Sequence, residues 1–217
     1  DFLNSDRIYL ECEGIDTIAE IRINGRKVMN CENMHMVLET EVKDALKAGE
    51  NEIQVAFTSP YKEIERIKAS HPDMDLDRHL FQAKMQMRKA ACMFGWDWGP
   101  ALADMGIYRP LFLKAYDGGR IRDLSVRQEH SFGKVKLFCT AEAESYRDGR
   151  KLRFSVYDPE GELLQTETYG LEDASETFAC IIQNPRLWWC IGYGEQPLYT
   201  VKAEILDEKE EVLHEVS

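Results

Sequence analysis

No Cys-x-x-Cys pair, no His pair at metal-ligating spacing and no apolar run near the roughly 20 residues of a helical membrane span occurs in this 217-residue chain. Those absences remove zinc ribbons, dithiol redox centres and helical membrane spans from the readings, and neither a metal site nor a cofactor is expected. His35, His71, His79, His130 and His214 stand alone, without an i, i+4 partner. Positive charge is also scarce. Lys plus Arg number 27 against 39 Asp plus Glu, for a net charge of −12 with no basic stripe, which argues against nucleic acid and anionic membranes as partners. No Asn-x-Ser/Thr sequon is present, and Asp1-Phe2-Leu3-Asn4 carries no charged leader. The chain opens mid-pattern, so a signal peptide on a longer parent stays open. Cys12, Cys31, Cys92, Cys139, Cys180 and Cys190 are scattered, most of them in strand-like runs where a thiol serves as a small hydrophobe. A reducing, cytoplasmic setting is favoured over a periplasmic or secreted one.

What is present is mostly period-two alternation. Ile8, Leu10 and Cys12 share one face against Tyr9, Glu11 and Glu13, and Ala19, Ile21 and Ile23 alternate with Glu20, Arg22 and Asn24. Asn24-Gly25 supplies the positive φ values of a tight hairpin turn into Arg26-Lys27-Val28. Val42 to Leu46 reads as a helical turn stopped by Gly49, and Ile53, Val55 and Phe57 as a strand ending at Ser59-Pro60. Between Pro60 and Lys89 the period changes. Tyr61, Ile64, Ile67 and Lys68 fit an amphipathic helix broken at His71-Pro72, and Asp77 is placed to cap a second through Leu80, Phe81, Lys84 and Met85. Met74, Met85, Met87 and Met93 read as gap-filling core residues rather than a groove. Strand character returns from Ile107 to Ala115.

Asp117-Gly118-Gly119 marks the expected domain boundary, dividing the chain into 1–118 and 119–217. Beyond it come strands over Leu124–Gln128, Val135–Ala141, Leu152–Tyr157, Leu163–Thr168, Thr177–Ile182 and Leu198–Leu206. Asp158-Pro159-Glu160-Gly161 is a type I turn suited to a hairpin between the third and fourth of these. Turn signals roughly every dozen residues with no long helix indicate an antiparallel β-sandwich. The chain is read as all-β.

One stretch stands apart. Phe94-Gly95-Trp96-Asp97-Trp98-Gly99-Pro100 sets an acid between two indoles in a segment that Gly95, Gly99 and Pro100 keep out of helix and sheet. Such a loop suits a sugar, whose C–H faces stack on rings while its hydroxyls bond a carboxylate. The other reading packs both indoles inward and leaves Asp97 to bond its own turn. On composition alone that second reading is the commoner outcome, because loop acids usually bond local backbone.

Phe94 to Pro100, followed by Met105-Gly106-Ile107-Tyr108-Arg109-Pro110, resembles the signature of β-mannosidases of glycoside hydrolase family 2. Asn184-Pro185-Arg186-Leu187-Trp188-Trp189 and Gly192-Tyr193-Gly194-Glu195-Gln196-Pro197-Leu198-Tyr199 are similar to the segment closing the second domain of these enzymes, with Cys190 where the family has proline. A weaker match runs through Glu13-Gly14-Ile15-Asp16-Thr17-Ile18-Ala19 and Ile23-Asn24-Gly25. The resemblance implies a jelly-roll (galactose-binding-like) sandwich with a short helical insert, lacking its first strands, followed by an immunoglobulin-like sandwich. A jelly roll without those strands is expected to expose sheet edges and apolar face, and so to self-associate or be partly disordered. The resemblance also implies that both catalytic glutamates lie on a (β/α)8 barrel outside this chain, so that no catalytic residue is expected here. Asp97 would hold hydroxyls of a terminal β-linked mannose of an oligosaccharide, and Trp96 and Trp98 would wall the subsite or brace the loop. Arg88 and Lys89 match the family's basic pair and are expected in salt bridges with nearby acids.

Glu11/Glu13 and Glu208/Glu210/Glu211 are expected to be solvated faces rather than acid/base pairs. Trp188, Trp189, Tyr193 and Tyr199 are expected to anchor the end of the second sandwich rather than form another sugar platform. Three other readings remain: a stand-alone carbohydrate-binding module; a segment of a β-galactosidase or β-glucuronidase, whose equivalent loop generally lacks the paired indoles; or a purely structural, adhesin-like sandwich with no saccharide contact.

Overall fold

The computed structural model of the chain describes residues 2–73, 82–172 and 174–217. Asp77, Leu80 and Phe81, named for the second helix, lie outside the described residues, as do Met74 and His79. The chain divides into two compact units, Asp1–Ala115 and Tyr116–Ser217.

In the first unit β1 (Arg7–Cys12), β2 (Ile15–Asp16), β3 (Ala19–Ile23), β4 (Arg26–Cys31), β5 (Leu38–Glu41) and β6 (Ile53–Phe57) precede the helical insert. The insert holds α1 (Pro60–Ser70) and α2 (Gln82–Met85), and β7 (Gly106–Ile107) and β8 (Leu111–Tyr116) follow it. β1 lies between β5 and β8, β3 lies between β4 and β6, and β2 pairs with β7. The alternation read from sequence decides which faces meet: Ile8, Leu10 and Cys12 of β1 pack with Ile21 and Ile23 of β3, Cys31 of β4 and Val42 in one core. Fully burying each large aliphatic side chain contributes about 1.5–3 kcal/mol. Asn24 and Gly25 both take positive φ, 51° and 81°, and Ile23 opposes Arg26 across the turn.

A single strand over Ile107 to Ala115 does not form. The chain leaves β7 at Tyr108-Arg109-Pro110 and enters a different sheet as β8. Pro110 has no N–H for a ladder, and the Tyr108 ring lies over Gly14, where an added Cβ would stand 2.7 Å from ring carbon Cζ. The absent side chain at Gly14 is what admits the ring.

The second unit is a sandwich of two sheets. β9 (Gly119–Ser131), β10 (Lys134–Ser145) and β13 (Ser175–Gln183) form one, with β10 central. β11 (Lys151–Tyr157), β12 (Leu163–Gly170), β14 (Thr200–Leu206) and β15 (Val212–Val216) form the other, in the order β12-β11-β14-β15. Phe154 of β11 stacks on Phe178 of β13 at 5.9 Å, and Leu152, Val156, Leu137, Cys139 and Ile205 complete that core. The Asp158 turn closes as expected, its carboxylate accepting from the N–H groups of Glu160 and Glu162. β15 has no counterpart in the sequence reading, because the acidic run Glu208 to Glu211 hides a short strand behind it. Among the described residues no helix is long and apolar enough to cross a membrane.

Buried thiols behave as core atoms: burial, with smaller contributions from Cys31 and Glu11, pushes Cys12 up to about 11, and burial with Cys180 does the same to Cys139. Cys92 and Cys190 are exposed.

Two carboxylates tie the second unit to pH. Burial alone would raise Glu144 and Glu204, yet Arg120 with Tyr146, and Arg153 with Lys202, hold them below the ordinary 4.5. Each therefore favours the folded state fully above the unfolded value, and that contribution is lost as pH falls through the lower folded one. Urea unfolding followed from about pH 6 down to about pH 3 is expected to show stability falling below the ordinary carboxylate value, with a shallower fall in Glu204→Gln. Identical slopes for Glu204→Gln and the parent would contradict the assignment.

Candidate functional site

The Trp96-Asp97-Trp98 loop rises from a small core of its own. Ile67 of α1 and Met87 are buried together, with Ile18, Ile64 and Phe94 packed against them. Phe94 also meets Tyr61 of α1 edge to face at 6.1 Å. A 3-10 turn over Ala91–Phe94 ends at Gly95, whose φ of 112° and ψ of 140° lie outside the range side-chain-bearing residues readily adopt. There the chain reverses. The Gly99 N–H donates to the Trp96 carbonyl at 3.3 Å, which makes Asp97 and Trp98 the two central residues of a tight turn.

Central turn residues point away from the chain that carries them. Trp98 is 76% exposed and Trp96 47%, and their rings lie 5.1 Å apart at 42°. Asp97 is exposed, and its carboxylate has no hydrogen-bond or ion-pair partner among the described residues. The inward-packed corner does not occur. Two adjacent indole faces beside an uncommitted carboxylate can stack on the C–H face of a pyranose and accept from its hydroxyls.

Both feet of the loop are pinned. At the entry the Arg88 carbonyl accepts from the Met34 N–H at 3.0 Å, and the Ala90 N–H donates to Met34 Sδ at 3.1 Å. Between them Lys89 turns inward, its side chain 0% exposed. Its Nζ lies 2.5 Å from Asp16 Oδ2, itself on a side chain 6% exposed, and donates to the Asp104 carbonyl at 2.6 Å. The Thr17 hydroxyl bonds the other oxygen of Asp16. At the exit β7 pairs with β2, placing Gly106 opposite Asp16, and the Tyr108 hydroxyl donates to the Met34 carbonyl.

Arg88 and Lys89 thus part company. Arg88 is exposed and its guanidinium has no partner among the described residues, whereas Lys89 forms a buried pair rather than a surface salt bridge. Sequence reasoning placed Lys89 in a salt bridge but missed its burial and its partner. The available signal was an acid inside the apolar run Ile15-Asp16-Thr17-Ile18-Ala19, where an unpaired charge is too costly to bury. Glu210 is solvated as expected and receives Lys151 at 3.2 Å, whereas Glu11, its side chain 14% exposed, is not a solvated face but is held under Lys114 at 2.7 Å. In the second unit Trp188 and Trp189 are half exposed and line an open cavity of about 610 Å³ with Leu124, Leu137 and Tyr199. The Tyr199 hydroxyl accepts from the Arg186 N–H at 3.0 Å. Among the described residues no three His, Cys, Asp or Glu gather as a metal site would require.

Two strand-built units follow one another along the chain, and the first carries the exposed indole-flanked acid. Residues 1–109 match the family described as glycosyl hydrolase 2 galactose-binding domain-like, and residues 119–217 match glycosyl hydrolases family 2. The chain belongs to glycosyl hydrolase family 2. It is 32% identical over 216 residues to a protein named beta-mannosidase B from Thermothelomyces thermophilus, covering 95% of this chain and 24% of that protein. A beta-mannosidase B from Emericella nidulans is 28% identical, with 97% and 25% covered. Among solved structures, a beta-D-mannosidase from Dictyoglomus thermophilum superposes with a TM-score of 0.83 at 34% identity, covering 98% of this chain and 26% of that one. A beta-glucuronidase from Bacteroides uniformis, at 17% identity and a TM-score of 0.70 over 99% of this chain and 24% of its own, shares the fold. The chain spans about a quarter of the length of these relatives.

Proposed function

We propose that this chain is the non-catalytic, substrate-contacting part of a β-mannosidase-like retaining glycoside hydrolase that removes terminal β-linked mannose. In this reading a jelly-roll sugar-binding domain, residues 1–118, presents Asp97, Trp96 and Trp98 to the substrate subsite of a (β/α)8 barrel outside the chain. An immunoglobulin-like domain, residues 119–217, follows it. The observation that carries the reading is the exposed turn itself, whose carboxylate is left without a protein partner among the described residues. Similarity to proteins named beta-mannosidase along nearly the whole chain supports the choice of sugar. Bond cleavage needs two carboxyl groups roughly 5 Å apart, which the barrel supplies. Asp97 does not break bonds; it holds hydroxyls and so selects the epimer.

A substrate panel tests this. The full-length protein is expected to hydrolyse an aryl β-mannoside at least about 100-fold faster, in kcat/KM, than the matching β-galactoside or β-glucuronide, a ratio two charge-assisted hydrogen bonds can supply. The isolated chain is expected to bind mannose too weakly for calorimetry. Preference for galactoside or glucuronide would overturn the choice of sugar, and tight binding by the isolated chain would favour a stand-alone binding module.

A further inference from the structure

We infer that the buried Lys89–Asp16 pair is a positioning device for the substrate loop, setting the direction of Asp97 and the two indoles rather than chiefly holding the domain together. The inference rests on the reading of Asp97 as a sugar contact.

The pair is poorly suited to stabilising the fold. Burying two charges costs several kcal/mol of hydration per ion, and apolar residues of the same volume commonly stabilise a core as well or better. Fixing geometry is the better attested use of such a pair. Here its location is specific. The Lys89 ammonium is a compact centre with three donors and no acceptor, and two of its contacts join points far apart in the chain. One contact is Asp16 Oδ2, on the strand that carries β7 at the loop exit. The other is the carbonyl of Asp104, fifteen residues beyond Lys89 and at the loop's exit foot. A single ammonium therefore joins entry foot, exit foot and sheet.

The stretch between the feet needs such a tie. From 90 to 103 only the 3-10 turn over Ala91–Phe94 and the Trp96–Gly99 bridge are regular, and Trp98 at its tip buries little surface. Loops this long without regular structure are otherwise free to sample many shapes, and closing them at the base limits that freedom. Trp98, 76% exposed, gets little of its direction from packing of its own. The direction is set from below. Asp16 is itself aimed by Thr17 and by the β2–β7 pairing, so the chain of contacts is continuous from sheet to turn.

Removing only one partner would strand a buried charge and destabilise the unit severely, so the test uses Lys89→Met with Asp16→Asn together. In the full-length protein this double variant is expected to lower kcat/KM for an aryl β-mannoside at least about 10-fold. The loss should appear mainly in KM, with the melting temperature lowered by less than in Lys89→Met alone, because the double variant leaves no buried charge. Adding Asp97→Asn to it should cost little more than Asp97→Asn alone, since groups acting through one another are not additive. A double variant with parental kinetics, or a triple variant whose loss is the product of both, would overturn the inference.

A second arm does not depend on substrate. The chain has 4 Trp, so Trp188→Phe with Trp189→Phe leaves Trp96 and Trp98 as its indoles. In that background the paired charge removal is expected to abolish the near-ultraviolet dichroism of the coupled indoles and to increase acrylamide quenching, while far-ultraviolet dichroism persists. Unchanged indole signals would overturn the inference whatever the kinetics show. If Asp97→Asn itself leaves kinetics intact, the sugar-contact reading falls, and the inference that rests on it falls as a statement about substrate.

Discussion

Asp97→Asn is expected to lower kcat/KM of the full-length protein for a β-mannoside by about 5- to 12-fold for each hydrogen bond weakened, the difference between a charge-assisted and a neutral bond, with no change in melting temperature. The size follows from the charge: hydrogen bonds to an ionised group are worth roughly 1.5–3 kcal/mol, and an amide keeps the shape while losing the charge. The unchanged stability follows from the geometry, because the carboxylate is exposed and bonded to nothing among the described residues. Trp98→Ala should act in the same direction more mildly, through the loss of stacking area. Steady-state kinetics with thermal melts on the same preparations decides the matter. A variant that melts early would mean that Asp97 serves the fold, and one with parental kinetics would mean that it does not touch substrate.

Lys89→Met is expected to have the opposite profile, destabilising the first unit severely before any effect on substrate can be read. The substitution leaves Asp16 as a buried carboxylate whose remaining side-chain partner among the described residues is the Thr17 hydroxyl. Breaking a buried pair in this way costs about 3–5 kcal/mol, which for a unit of this size lowers the melting temperature by about 10 °C or more. Arg88→Ala, one residue away but exposed and unpaired among the described residues, should stay within about 0.5 kcal/mol of the parent. Differential scanning calorimetry resolves the two. Equal melting temperatures for Lys89→Met and Arg88→Ala would show that the pair is solvated in solution and carries no such weight.

Much of the fold was legible because it rests on local pattern. Alternation at Ile8, Leu10, Cys12 and at Ala19, Ile21, Ile23 named the buried faces of β1 and β3, and Asn24-Gly25 named the turn beside them. The same holds for Asp158-Pro159-Glu160-Gly161 and the β11–β12 hairpin. What was not legible depends on long-range contact. The break between β7 and β8 follows from Tyr108 finding Gly14 more than ninety residues earlier, and nothing within 107–115 except Pro110 announces it. β15 was lost behind a run of glutamates whose charge outweighs the short alternation of Val212, His214 and Val216.

The candidate site divides along the same line. Trp96, Asp97 and Trp98 stand out as residue types, but composition favoured packing them inward. Their exposure comes from a tight turn lifted by a core of Ile67, Met87 and Phe94 that no single window of sequence contains. Lys89 was noticed only as half of a basic pair, because its partner Asp16 is remote in sequence. Charge pairing of this kind is invisible until the strands that bring the groups together are known.

A crystal structure of the full-length protein with a mannose-configured inhibitor in its cleavage subsite tests the central claim most directly. An Asp97 oxygen is expected within about 3.2 Å of a sugar hydroxyl, with the Trp96 or Trp98 ring against the same sugar. A subsite filled by inhibitor while the Trp96-Asp97-Trp98 turn points elsewhere would contradict it.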